Sequence, residues 1–176
     1  MTDRINNRTD RGFFYGWVIA GTFMFVEASA WGGASTIGVF VNPMGTDMGW
    51  SRTSIAVAAS IMLTVNFIGG VLWGWLSDRW STRGVIVLCG LFLGLGFFLA
   101  SFAENLWQLY VFLGLFGGIG LGGTLGPLSG ITSRWFIRNR GLAIGIGFAG
   151  AGVGQAFFPI LADRLITLDG WRFAFQ

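Results

Sequence analysis

The sequence contains no histidine and no lysine, and only one cysteine among its 176 residues. Because Cys89 lies alone inside an apolar run, neither a disulfide nor a Cys/His metal site can form within the chain. Paired carboxylates and the spacing of a nucleophile with a base are also missing, which argues against a membrane enzyme. The sequence therefore predicts no metal, no cofactor and no catalysis.

Charge is scarce as well. Only 11% of the residues are charged and 53% are hydrophobic, whereas soluble domains carry about 25% charged residues. The mean hydropathy is +0.67, so a soluble fold would expose too much apolar surface and a lipid bilayer is the expected surrounding. The net charge of +3 comes from short arginine clusters between apolar runs, which is typical of orientation signals rather than nucleic-acid binding.

What the sequence has in abundance is long apolar runs. Five of them reach or approach the roughly 20 residues that cross a bilayer, at about 13–41, 53–76, 84–103, 107–133 and 141–165, and a sixth begins at Trp171. The connectors are short, so neighbouring helices are expected to be antiparallel. The first run is too long for a signal peptide, and residues 1–12 are predicted to form a tail in front of it.

The arginines predict the orientation of these spans. They cluster before the first span, between the second and third, and between the fourth and fifth: Arg4, Arg8, Arg11, Arg79, Arg83, Arg134, Arg138 and Arg140. The opposite side has fewer arginines and more acidic residues. The chain is expected to be a multi-pass protein of the cell (inner) membrane. By the positive-inside rule its N-terminus is expected in the cytoplasm.

The fourth run is unusually rich in glycine. Between Gly114 and Gly130 it contains eight glycines, and rows at i+4 and i+3 nearly encircle the helix. Small residues let helix backbones approach closely in lipid, so this span is expected at the centre of a bundle, with a kink at Pro127. The glycines serve either plain packing or a smooth surface that moves between two states; the packing set is Gly114, Gly118, Gly122, Gly126 and Pro127.

Polar side chains near the middle of the spans are candidates for a transport pathway. Glu27, Asn66 and Gln155 lie near the midpoints of the first, second and fifth runs, and Trp31 follows Glu27 by one turn. An acidic residue at the bilayer centre costs at least about 2.5 kcal/mol on insertion scales. Glu27 is expected either to line a wet cavity or to be hydrogen-bonded in its protonated form, whereas Asn66 and Gln155 suit interhelical hydrogen bonds.

The loop "GWLSDRWSTRG" after the second run carries a resemblance to a known family. Its Gly74, Leu76, Asp78-Arg79 and Arg83 resemble the cytoplasmic loop signature of the major facilitator superfamily, at the matching position between the second and third spans. Ser81 and Thr82 depart from the pattern, which usually has glycine and arginine there.

A second stretch resembles one branch of that superfamily. The segment Ser133–Pro159, "SRWFIRNRGLAIGIGFAGAGVGQAFFP", is similar to the junction of spans four and five in monocarboxylate transporter-like and oxalate/formate antiporter-like proteins. "YGWVI" before the first span, "GWSR" before the second and "GWR" before the sixth fit the same branch.

The resemblance implies a twelve-helix carrier made of two six-helix halves with inverted repeats. This chain would be the N-terminal half only, and the missing C-terminal half would hold the arginine that binds a carboxylate. The implied function is secondary active transport of a small organic anion, monocarboxylate or oxalate-like, by alternating access. Transport of another small solute, such as a sugar, drug or metabolite, and a non-transporting membrane assembly role stay open as alternatives.

Two mechanistic hypotheses follow from these residues. An ionised Glu27 would repel an anionic substrate, so proton symport with Glu27 as the proton carrier is one hypothesis. The second concerns the cytoplasmic charges Asp78, Arg79, Arg83, Arg138 and Arg140. These charges either determine topology alone or form a gate. In the gate, Asp78 pairs with arginines of the junction between spans four and five, or with a helix N-terminus of the absent half.

Overall fold

The computed structural model describes residues 15–136 and 139–175, and within them it is all-α. Five helical stretches are long and apolar enough to cross a membrane, and we call them spans 1 to 5: Gly16–Met48, Arg52–Arg79, Thr82–Ala100, Leu106–Trp135 and Arg140–Leu168. A short helix, Trp171–Ala174, begins a sixth. The predicted all-α membrane bundle with five spans and the start of a sixth is confirmed.

Two of the spans are segmented. Span 1 consists of α1 (Gly16–Ser35) and α2 (Ile37–Met48), span 2 is α3 (Arg52–Arg79) and span 3 is α4 (Thr82–Ala100). Span 4 consists of α5 (Leu106–Leu109), a π-helical segment (Tyr110–Gly117), α6 (Gly118–Gly122) and α7 (Leu125–Trp135). Span 5 is α8 (Arg140–Asp169), and the short helix after it is α9.

Span 1 is longer than its apolar run. The run loses its hydrophobicity after Val41, but the helix continues through Pro43 to Met48 and ends where Gly49 adopts a left-handed φ of 69°. Glycine adopts this conformation readily and commonly terminates helices. The helix therefore ends at a backbone signal, several residues beyond the limit that hydropathy predicts.

Span 4 lies at the centre of the bundle, packed against spans 2 and 3, while span 1 packs most extensively against span 5. The glycines of span 4 face both neighbours. A Cβ at Gly114 or Gly118 would collide with span 2 at Ile61 or Met62, and a Cβ at Gly120 would collide with the backbone of span 3 at Leu93. Gly122 likewise faces the backbone of Asn66 and its neighbours in span 2.

Gly126 does not belong to this packing set. A Cβ at Gly126 or Gly130 would meet no atom within 4 Å. Both follow Gly123, where the helix of span 4 is interrupted, so the i+4 row does not continue across this point. Gly126 instead borders an open pocket at the end of the bundle.

The two ends of the bundle differ in charge. The end that carries Tyr15, the loop 80–81, Phe136 and Asn139 is called the arginine-rich end, and the other, with Gly49 and Gly170, the opposite end. At the opposite end Asp47 Oδ2 accepts hydrogen bonds from Trp171 Nε1 at 3.0 Å and Arg172 Nη1 at 2.7 Å. These bonds fix the first turn of the sixth helix against the last turn of span 1.

Candidate functional site

Glu27 lies inside the bundle rather than on an open cavity wall. Its side chain is 0% exposed, and no residue among 15–136 and 139–175 makes a hydrogen bond of good geometry with either carboxylate oxygen. Thr124 of span 4 and Trp31 of span 1 approach the carboxylate. The ion pairs found in the same residues involve Asp47 and Asp78 and leave Glu27 aside.

Span 5 explains why Glu27 is so well enclosed. A Cβ at Gly150 would collide with the backbone of Met24, and one at Gly154 with the backbone of Ala28. These two contacts flank Glu27 along span 1. Because glycine has no side chain, the two helices meet backbone to backbone on either side of Glu27, which agrees with its complete burial.

Span 4 is interrupted beside Glu27. Gly123 leaves the helical conformation with φ −91° and ψ 6°, and a new helix starts at Leu125. Pro127, expected to kink this span, has no N–H to offer the Gly123 carbonyl, so the interruption falls just before the proline. Thr124, which approaches Glu27, lies within this interruption and is itself buried. Interrupted helices at membrane depth are tolerated where they are enclosed by protein or line a cavity.

The other midplane candidates occupy different environments. The Trp31 indole nitrogen and the Asn66 amide nitrogen are buried and, within the described part of the chain, have no hydrogen-bond partner. Asn66 lies on span 2 against Gly122, next to the interruption of span 4. Gln155 is exposed on span 5. The structure thus brings Glu27 and Trp31 together with Thr124, a residue that sequence reasoning missed, and leaves Gln155 outside this group.

A tryptophan of span 2 supports the interrupted helix. Trp73 Nε1 donates a hydrogen bond of 2.8 Å to the carbonyl oxygen of Ile119, four residues before Gly123. An indole donor at this position satisfies a carbonyl that the interrupted helix would otherwise leave without its usual partner.

We expect Trp73→Phe to destabilise the chain by about 1 kcal/mol, because it removes this bond and keeps most of the aromatic volume. The free energy of unfolding in detergent micelles measures the effect. Trp75→Phe, exposed on the same helix, is the matched control, and equal losses in the two variants would contradict the assigned role.

At the arginine-rich end, Asp78 faces Arg134, an arginine from the end of span 4 that belongs to the cluster between the fourth and fifth runs but was not named among the gate residues. Its Oδ1 lies 3.9 Å from Arg134 Nη2, and both side chains are about four-fifths exposed at 80% and 79%. A pocket of about 160 Å³ lies beside this pair, bordered by Gly126 and Pro127. Arg140 is exposed, and Arg138 lies outside the described residues.

The other charges predicted for the gate contact different groups. The Arg79 guanidinium lies 5.5 Å above the Trp75 ring, and Arg83 borders a pocket between spans 1 and 3. The expected gate residues are therefore distributed around the end of the bundle, with Asp78 and Arg134 as the one ion pair in the described part of that end.

Comparisons with known proteins agree with this architecture. A family model described as Major Facilitator Superfamily matches residues 23–176. The chain is 34% identical to riboflavin transporter RibJ of Trypanosoma brucei brucei over 92% of its length and 30% of that protein. It is 29% identical to human monocarboxylate transporter 11 over 90% of its length and 34% of that protein.

A third relative, MFS-type transporter 1 of an Ophiocordyceps species, is 34% identical over 94% of this chain and 37% of that protein. The chain spans about a third of the length of these relatives, with shares of 30%, 34% and 37%.

Proposed function

This chain belongs to the major facilitator superfamily of transporters, and from that premise we propose that it forms the N-terminal half of a secondary active carrier. The carrier moves a small organic anion, monocarboxylate or oxalate-like, by alternating access, and its C-terminal half supplies the second six-helix bundle and the arginine that binds the carboxylate. The carrier lies in the cell (inner) membrane with its N-terminus in the cytoplasm, as the arginine distribution favours.

The buried Glu27 carboxylate is the observation that carries the proposal. A charged carboxylate without a partner costs several kcal/mol in an apolar interior, so a side chain that only packs would be apolar here. Its position beside the interruption of span 4 matches the rule that coupling sites form near the membrane midplane at discontinuous helices. Glu27 therefore carries a proton through part of the cycle, which also removes the repulsion of an anionic substrate.

A neutral ring compound is the second candidate substrate. In the described residues no arginine forms an ion pair with Glu27, so that part of the chain offers no clamp for an anion beside this carboxylate. The relative RibJ is named a riboflavin transporter. A neutral aromatic ring with N–H groups can stack on the Trp31 indole and donate to the Glu27 carboxylate, whereas a carboxylate substrate would be repelled by an ionised Glu27. Asn66, Trp31 and Gln155 are the other polar candidates for the pathway.

Uptake by the intact carrier tests these assignments. The carrier is reconstituted into liposomes with an inward proton gradient and offered radiolabelled lactate, pyruvate, formate, oxalate, a sugar or riboflavin. Gradient-dependent accumulation of one or more of the anions supports the first proposal, and accumulation of riboflavin alone supports the second. Accumulation of neither, by a carrier that is folded and inserted, would overturn both.

Asp78→Asn is predicted to change turnover in the intact carrier without lowering its amount in the membrane. The Asp78–Arg134 pair is exposed and long, so it contributes less than about 1 kcal/mol to stability, but breaking it alters the balance between two states of a gate. The initial uptake rate and the amount of protein at the membrane are measured together. Arg134→Gln should change turnover in the same direction, and normal turnover in both variants would count against a gate.

A further inference from the structure

Glu27 needs a partner for its negative charge in any state in which it has lost its proton. No cationic side chain in the described residues forms an ion pair with it. Span 5 meets this part of span 1 with Gly150 and Gly154, which have no donor side chain. The titratable Cys89 of span 3 lies against Gly123, but a thiol supplies no positive charge. The partner must therefore be a hydrogen-bond donor of the backbone or of an uncharged side chain.

The interruption of span 4 leaves N–H groups open beside Glu27. Two carbonyls near the end of α6 are occupied. The Ile119 carbonyl accepts the Trp73 indole N–H, and the Leu121 carbonyl accepts both the N–H and the hydroxyl of Thr124. The first N–H groups of α7 have no partner within that helix, and the Thr124 side chain does not cap them. Since the N-terminal end of a helix carries partial positive charge, it attracts an anion.

Glu27 is the acidic side chain that reaches this N-terminus. Helix α7 has 11 residues and runs from the interruption to the arginine-rich end, so its N-terminus lies inside the membrane. Thr124, the residue immediately before it, approaches the Glu27 carboxylate, as Trp31 does. The carboxylate is fully buried and has no hydrogen-bond partner in the described part of the chain. An unpartnered carboxylate thus lies beside an uncapped helix N-terminus.

The hydrogen bond of Thr124 shows which form of Glu27 suits the present arrangement. The hydroxyl has one proton, which it donates to the Leu121 carbonyl at 3.1 Å, so toward Glu27 its oxygen can only accept. This suits a protonated Glu27, whose O–H donates. An ionised Glu27 requires the Thr124 hydroxyl to turn and donate to it. The Leu121 carbonyl then keeps the Thr124 N–H at 3.4 Å, and the new bond, to a charged acceptor, is the stronger one.

We propose that the Thr124 hydroxyl and the N-terminus of α7 hold the negative charge of Glu27 after its proton leaves, which makes Thr124 a positioning residue for proton release. The O–H bond of Glu27 breaks, its electron pair stays on the carboxylate, and the proton passes to water on the side to which the carrier is open. Thr124 neither gains nor loses a proton. The inference rests on the proposed function, because it concerns the step at which Glu27 releases its proton.

Infrared spectroscopy of the intact carrier in proteoliposomes tests this role without any substrate. The absorbance of protonated carboxyl groups is recorded against pH, and the part that is missing in Glu27→Gln belongs to Glu27. At the pH at which half of Glu27 is ionised in the unaltered carrier, Thr124→Val should lower the ratio of ionised to protonated Glu27 about tenfold, because one charge-assisted hydrogen bond is lost. Thr124→Ser keeps a hydroxyl and should restore most of the ratio.

Two further variants separate this role from a structural one. Thr132→Val removes another buried hydroxyl of span 4, which donates to the Leu128 carbonyl at 2.8 Å, and it should leave the ratio unchanged. Pro127→Ala supplies an N–H for the Gly123 carbonyl and favours a continuous helix, so it should lower the ratio as Thr124→Val does. Pro127→Ala also keeps the measurement possible where Thr124→Val does not fold.

An unchanged ratio in Thr124→Val or in Pro127→Ala would overturn the proposal. An equal fall in Thr124→Val and Thr124→Ser, or in Thr124→Val and Thr132→Val, would overturn it as well. These results would leave Glu27 as the proton carrier, with another group receiving its charge. A carrier in which Glu27→Gln removes no pH-dependent absorbance would instead refute the proton-carrying role itself, so the two failures are distinct.

Discussion

Gly154→Ala is expected to destabilise the bundle by about 3 kcal/mol or to prevent its folding. The added Cβ would collide with the carbonyl oxygen and Cα of Ala28 in span 1. Overpacking a well-packed interior typically costs 1–3 kcal/mol, and the upper part of that range applies because a helix backbone cannot rotate away as the tip of a side chain can. Spans 1 and 5 would have to separate along their most extensive contact.

The same helix supplies a matched control. Gly152→Ala places its Cβ in open space, with no atom within 4 Å, and alanine gains up to about 1 kcal/mol of helix propensity over glycine. Unfolding of the purified 176-residue chain in detergent micelles, followed by circular dichroism during titration with a denaturing detergent, compares the two variants. Equal midpoints for Gly154→Ala and Gly152→Ala would show that spans 1 and 5 are not held by this contact.

The helical spans could be predicted from the sequence because lipid leaves the backbone few choices. An apolar run long enough to cross the bilayer must satisfy its own N–H and C=O groups, so it becomes a helix. The residues at which the spans end cannot be predicted from hydropathy in the same way. Span 1 continues past Val41 until Gly49, since the helix ends where the backbone turns and not where hydropathy falls.

In span 4, the pattern of small residues does not predict which helix each glycine contacts or where the helix is interrupted. The glycine rows indicate close approach, but they do not name the partner, and Gly118 and Gly120 turn out to face different spans. Pro127 indicates a kink, yet the helix is interrupted at Gly123 and Thr124, and the π-helical segment Tyr110–Gly117 has no sequence signal that we recognise. Pro127 accounts for an interruption nearby, but which spans the glycines contact depends on spans 2 and 3, which are remote in sequence.

The candidate site was predictable in its residue types and not in its surroundings. The cost of a polar group in lipid singles out Glu27 and Asn66 from the sequence, and both are buried. Which face each residue presents depends on the neighbouring helices, so the enclosure of Glu27 by span 5 and the exposure of Gln155 could not be foreseen. Thr124 was missed because a threonine in a glycine-rich run carries no signal until the helix is seen to be interrupted there.

In the intact carrier, Glu27→Gln is predicted to abolish accumulation of substrate driven by a proton gradient. Glutamine has nearly the same shape but cannot take up or release a proton, so no proton accompanies the substrate. Exchange of labelled for unlabelled substrate at equal pH on both sides needs no net proton movement and should persist. Both assays use the same proteoliposomes, so a loss of accumulation with retained exchange cannot be explained by misfolding.

Glu104→Gln provides the control for this experiment, because Glu104 is an exposed acidic residue in the loop at the opposite end. It should accumulate substrate normally. Unchanged accumulation and unchanged pH dependence in Glu27→Gln would remove Glu27 from the coupling role, and its burial would then be structural, as a protonated acid within the contact of spans 1, 4 and 5. Loss of both accumulation and exchange would instead place Glu27 in substrate binding or in the conformational change itself, since a residue that only carries the proton is not needed for exchange.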